Sequence, residues 1–141
     1  MRSPQRRRAI WSRHSLEWWQ ERAADPSMPY WFRVAALAFG LHGENGHAPL
    51  KHGTLSMLLS SPDPETGELV RYRNAARAVR AAIEYGLLAP ESTTRCLVVP
   101  PMAVKQGEPG RWPRCPEHGN TVPTERTLSD ALGVRSSTAS E

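Results

Sequence analysis

NAARAVRAAIEYGLL, residues 74–88, is the stretch whose reading decides the fold. At roughly 100° per residue, a helix here brings Arg73, Arg77 and Arg80 within about 60° of one another. Ala75, Val79, Ala82, Ile83 and Gly86 gather on a separate side, so one face is cationic and the other can pack. The many alanines raise helix propensity. Their small side chains also let the helix sit close to its neighbours while the guanidinium groups project outward, which suits a helix lying in a groove.

The preceding segments supply those neighbours. SLEWWQERAA, residues 15–24, opens on a good N-cap residue and has acids in its first turn, which predicts a helix start at Ser15. Trp18 and Trp19 are adjacent and so point to different sides, one toward the core and one partly exposed. DPSMP, residues 25–29, breaks that helix, and the next begins with Ser27 as its cap and Pro29 in its first turn. Phe32, Ala35, Ala36, Leu37 and Phe39 give this second helix a broad apolar surface and a central place. Residues 40–49 are a loop by composition. Leu50, Leu55, Leu58 and Leu59 repeat at helical spacing and predict a further helix, despite Gly53. SPDPETG, residues 61–67, cannot continue it, because two prolines remove amide donors and Gly67 permits a reversal. After Leu88, residues 89–94 form a loop, and Arg95, Cys96, Leu97, Val98 and Val99 a short strand ended by Pro100 and Pro101.

Taken together, residues 30–99 resemble a winged helix-turn-helix domain. The resemblance rests on an apolar helix, a Leu-rich helix, a turn, an Arg-bearing helix ending in Tyr85-Gly86-Leu87-Leu88, and the wing strand Cys96-Leu97-Val98-Val99. That ending is similar to the third helix and wing of bacterial transcription regulators and plasmid replication initiators. The Arg- and Pro-rich composition is similar to helix-turn-helix proteins of actinobacterial phages and mobile elements. The expected fold is mainly α with a small β wing. A flexible basic arm occupies residues 1–14, the winged domain residues 15–100, and a Pro/Gly-rich tail residues 101–141. In that tail a short helix over residues 125–132 would be capped by Gly133. The connection before the third helix exceeds the three or four residues of a minimal helix-turn-helix.

The resemblance implies sequence-specific binding of double-stranded DNA, with the third helix in the major groove and the wing on the backbone or minor groove. Carried onto this chain, Arg73, Asn74, Arg77 and Arg80 would face bases, and Arg71 and Arg95 would contact phosphates. Arginine grips guanine O6 and N7 with two donors, and asparagine pairs with adenine. Asn74 lies about 60° or more from the arginine stripe, however, and suits capping better. The implied role is transcriptional regulation in a phage or mobile element. The alternatives are a replication or excision accessory factor and a module that docks on a host or phage protein. A palindromic site would require a homodimer, for which the helix bearing Trp18 and Trp19 offers the interface.

The net charge of +4 is unevenly placed. Residues 1–14 hold five arginines and no acid, whereas residues 15–99 hold eight bases against nine acids. Arg6, Arg7 and Arg8 therefore supply phosphate attraction from the arm, and the near-neutral domain keeps the protein-docking alternative open.

Two cysteines are too few for a disulfide scaffold, so the expected setting is a reduced, cytoplasmic one. Cys115-Pro116-Glu117-His118 has a spacing that lets two ligands reach one metal from a tight turn. With Cys96, a tetrahedral structural zinc needs one more donor, and His42, His47 and His52 are available. No other cofactor is expected. Glu44 with His47, or Asp63 with Glu65, makes an acid-base pair on paper, but nothing sets either beside a nucleophile and no glycine-rich phosphate loop occurs, so no enzyme is expected. No stretch approaches the ~18 apolar residues of a membrane helix, and no apolar signal core follows the arginines.

Overall fold

Ser15 opens the first helix with its hydroxyl, which accepts the Trp18 amide at 3.1 Å, and Leu16–Ala24 (α1) follows. The structure, a computed structural model, describes residues 10–104 and 114–119. Arg6, Arg7, Arg8 and the helix expected over residues 125–132 lie outside the described residues. After α1 come Tyr30–Leu41 (α2), His47–Pro49 (β1), Thr54–Leu58 (α3), Ser61–Pro62 (β2), Leu69–Val70 (β3), Ala75–Glu84 (α4) and Cys96–Val98 (β4). The chain is mainly helical, with a small two-stranded antiparallel sheet of β1 and β4 and a short β2–β3 hairpin.

Asp25 organises the turn after α1: its Oδ1 accepts the Ser27 amide at 2.9 Å and the Ser27 hydroxyl at 2.7 Å. Ser27 is thereby spent on Asp25, and Pro29 rather than Ser27 caps α2. Along α2 the fully buried residues are Arg33, Val34, Ala35, Ala36, Leu37, Ala38 and Gly40, while Phe32 and Phe39 pack at the margin. Small side chains face Ala75, Ala78, Val79 and Ala82 of α4, which brings the two helices close. Trp19 tilts onto Phe39 with ring centroids 5.1 Å apart, and Trp18 stays 48% exposed.

Gly40 lets α1 seat on α2. A Cβ there would lie 2.9 Å from Gln20 Cγ and 3.1 Å from the Leu16 carbonyl oxygen, and Gln20 Nε2 already donates to the Gly40 carbonyl at 2.8 Å. Helix propensity favours Gly40→Ala by about 1 kcal/mol, but the methyl would press on both the root of the Gln20 side chain and the α1 backbone, which outweighs it. The expected net loss is about 1–2 kcal/mol, measured as a lower urea midpoint; a stabilised Gly40→Ala would show that α1 is not held this way.

Arg33 is 1% exposed beneath the short α3. Its Nε donates to the Ala23 carbonyl at 2.7 Å, Nη1 to the Leu59 carbonyl at 3.3 Å and Ser61 Oγ at 3.1 Å, and Nη2 to the Leu58 and Ser60 carbonyls at 3.3 and 3.1 Å. The side chain thus binds the end of α1 to the end of α3.

The segment taken for a loop contains β1, whose strand character depends on a partner nearly fifty positions away: His47 pairs with Val98, Ala48 with Leu97 and Pro49 with Cys96. The break after α3 is a hairpin, closed where the Asp63 carboxylate accepts the Glu65 and Thr66 amides and Gly67 turns back at φ +71°. Its exit is tied to α3 by the Tyr72 amide on the Ser56 carbonyl at 3.1 Å, and Tyr72 stacks on Tyr30.

The Arg-bearing helix is shorter than residues 74–88. Gly86 at φ +73° ends it, its amide bonding the Ile83 carbonyl at 2.9 Å while the Leu87 amide bonds that of Ala82 at 2.9 Å. This paired closure is the Schellman arrangement, which needs a left-handed residue just past the helix. Asn74 holds the N-cap position but makes no side-chain cap bond, so its expected capping role is not seen. All of β4, read from sequence as a wing strand, is buried in the sheet with β1.

Candidate metal cluster and cationic helix face

The β1–β4 register decides one half of the cluster. Residues facing each other across an antiparallel pair share a face, and neighbours two positions along are diagonal to them. His47, Val98, Cys96 and Pro49 therefore lie on one side, with His47 diagonal to Cys96, while Ala48 and Leu97 turn into the helical core. The other half comes from a knuckle. The Cys115 amide donates to the Gly119 carbonyl at 2.9 Å and the Gly119 amide to that of Cys115 at 2.7 Å, with Gly119 at φ +74°. This tight loop sets Cys115 and His118 side by side.

The four side chains meet under cover. His47 Nδ1 lies 3.5 Å from Cys96 Sγ, Cys96 Sγ 3.5 Å from Cys115 Sγ, and Cys115 Sγ 3.5 Å from His118 Nδ1. All four donor atoms lie within 4.8 Å of one another. Both cysteines are free thiols. His118 Nε2 sits 2.8 Å from the Glu91 carbonyl. A carbonyl can only accept, so Nε2 carries the proton and, in the neutral ring, Nδ1 turns its lone pair to the cluster. This cluster can hold a metal ion.

Burial shapes the protonation of these groups. It pushes His47 down to about 4, aided by His118, so the ring is a neutral donor at ordinary pH. It pushes Cys96 up to about 12, with the Cys115 contact adding to the effect. At Cys115 burial also opposes charge, but hydrogen bonds from His118 and Glu117 prevail and lower it. At His118 burial opposes charge too, and bonding to Cys115 and the Glu91 carbonyl prevails to raise it.

Cys96, Cys115 and His118 are thus together, as their residue types suggested, and His47 is the fourth donor. His42 instead bonds the Gly43 carbonyl and His52 is exposed, so neither joins them. His47 turns to the sulfurs rather than to Glu44, and Asp63 is consumed by its hairpin turn.

The second feature is α4. Arg77 and Arg80 are exposed on its outer face, Arg73 and Asn74 are exposed just before it, and Arg71 is exposed at the hairpin exit. Among the described residues, no carboxylate lies within ion-pair distance of these four arginines. Arg71 and Arg73 also line a groove beside α3 of about 500 Å³, with Gly53, Ser56, Leu69 and Val70. The exposed apolar residues Leu69 and Val70 were not singled out by sequence, because their strand is only two residues long. Arg95 is placed elsewhere: half-exposed, it pairs with Glu117 of the knuckle at 3.4 Å.

Comparison with known protein families, curated proteins and solved structures gave no match.

Proposed function

We propose that this chain binds double-stranded DNA through α4, in a helix-turn-helix of the winged type stapled by zinc. The observation that carries the reading is the division of α4: Ala75, Ala78, Val79 and Ala82 are buried on α2, and Arg77 and Arg80 project outward with no carboxylate partner among the described residues. A helix backed by small residues and fronted by guanidinium groups fits the major groove, where arginine reads guanine. The order of elements supports the same reading. β1 falls between the first two helices of the unit, α2 and α3, and pairs with β4 after the third, α4. Arg71, beside α3, is the phosphate-facing group.

The ion that best suits the cluster is zinc(II). Zinc bonds of about 2.3 Å to sulfur and about 2.0–2.1 Å to nitrogen give tetrahedral donor separations of about 3.3–3.8 Å; three of the six donor pairs are 3.5 Å apart, and the others, all within 4.8 Å, need only a small inward shift to close on the ion. Two thiolates and two imidazoles complete four-coordination, so the site is structural and leaves no position for substrate.

Selection from a random duplex pool at about 150 mM salt, where non-specific phosphate attraction is weak, tests the DNA reading. An enriched motif is expected, and its symmetry reports whether a dimer binds. Arg77→Ala and Arg80→Ala should each weaken binding to that motif about tenfold and relax the sequence preference, whereas Arg71→Ala should weaken all sequences alike. Absence of any enriched motif overturns the reading. A preferred site over a promoter marks a regulator; an array beside an origin or attachment site marks an accessory factor.

A further inference from the structure

We infer that the metal cluster governs the exit of α4: with the ion bound, the knuckle of residues 114–119 clamps the strap of residues 86–95, and the DNA-facing helix is fixed from behind. This deepens the zinc and DNA readings above and rests on both.

The strap carries the chain from α4 back to β4. Leu88 and Ala89 are buried, and the Ala89 amide donates to the Val98 carbonyl at 2.8 Å. The Ser92 hydroxyl accepts the Val98 amide at 2.9 Å and lies 3.2 Å from the Val98 carbonyl, while the Thr93 amide donates to the Cys96 carbonyl at 2.8 Å. Among the described residues, two polar contacts join the knuckle to the strap. His118 donates from its second ring nitrogen to the Glu91 carbonyl at 2.8 Å, and Glu117 pairs with Arg95 at 3.4 Å.

Among the described residues, the knuckle's other anchor is Cys115, packed in a small cluster with Ala89, Cys96 and Val98. The knuckle's two amide bonds are internal, and Cys115 is its one fully buried residue among those described. Burying one small side chain contributes about 1–2 kcal/mol at most, against about 1–2 kcal/mol of backbone entropy for each ordered residue. Bonds from Cys115 and His118 to an ion shared with His47 and Cys96 make up that deficit. Both knuckle contacts to the strap then depend on the metal, and the strap begins where α4 ends.

The test uses the full chain. Cobalt(II), whose tetrahedral thiolate complexes absorb in the visible, should bind at one equivalent, be displaced by zinc, and be lost in Cys115→Ser and His47→Ala but kept in His52→Ala. On adding zinc to the chelated wild-type chain, hydrogen exchange at the Leu87, Ala89 and Thr93 amides should slow about tenfold or more, while the His42 amide at the end of α2 changes less than about twofold. Affinity for the selected duplex should fall about tenfold on chelation and return with zinc. Metal uptake with unchanged exchange at Leu87 and Ala89 overturns the coupling. No tetrahedral cobalt spectrum overturns the zinc reading and the coupling together. Metal uptake with slowed exchange, in a chain that binds no duplex in either form, upholds the coupling and overturns the DNA reading alone.

Discussion

Replacing Arg33 by methionine is expected to destabilise the domain by about 3 kcal/mol. Methionine fills the apolar path of the arginine stem, so the change tests the guanidinium and not the packing. All five guanidinium hydrogens are used, four of them on the carbonyls of Ala23, Leu58, Leu59 and Ser60. A five-residue helix leaves its last carbonyls without intrahelical partners, and Arg33 takes that of Leu58 at the end of α3 together with those of Leu59 and Ser60 just past it. A cation also suits the negative end of a helix. Each stranded carbonyl costs about 1 kcal/mol or more. Removing a buried charge works the other way, since no carboxylate lies within ion-pair distance of Arg33 among the described residues and burial disfavours its charge, opposed by Tyr30 and Asp25. The stranded carbonyls outweigh this relief because there are four of them. Arg33→Lys, with three donors on a single nitrogen, should recover under half of the loss. Urea unfolding measures both, and a loss below about 1 kcal/mol for Arg33→Met would mean that water serves these carbonyls equally well.

Arg33 also marks where sequence reasoning runs out. In the run of Tyr30, Trp31, Phe32, Arg33 and Val34 it stands as one charge in an apolar helix, and nothing local says that four carbonyls will converge on it. The α4 face was legible because a helix pattern repeats within ten residues. β1, β2 and β3 were not, since strands of two or three residues have no period to detect and acquire their identity from partners elsewhere. The candidate metal donors divide along the same line. Cys115 and His118 declare themselves by spacing, and Cys96 by being the other cysteine. Choosing His47 over His42 and His52 required the register that sets His47 diagonal to Cys96, a non-local fact. Asn74 erred in the opposite direction: its position at the helix start was right, but a residue type that often caps need not turn its side chain to do so.

Chelating the metal from the wild-type chain is expected to lower its melting temperature by about 15 °C or more. At a free zinc level about a thousandfold above the dissociation constant, binding to the folded state alone stabilises by about 4 kcal/mol, and each kcal/mol moves the midpoint of a domain of this size by about 4–8 °C. The Cys115→Ser chain should melt near the chelated wild type, whether or not chelator is present. That non-additivity separates the metal from ordinary packing, because a serine that merely disturbed the buried pocket would leave the chelator effect intact. The pH dependence has a definite sign. Folded, metal-free His47 stays neutral down to about 4, whereas in the unfolded chain it takes up a proton below about 6.5. Its contribution is therefore fully present above about 6.5 and lost as the pH falls through about 4. The thiols add to this, since both must surrender protons to the ion and burial makes Cys96 reluctant. The chelator-sensitive part of the melting temperature should therefore shrink between about pH 7.5 and pH 5.5. An equal chelator shift in wild type and Cys115→Ser would assign the four side chains a purely packed role.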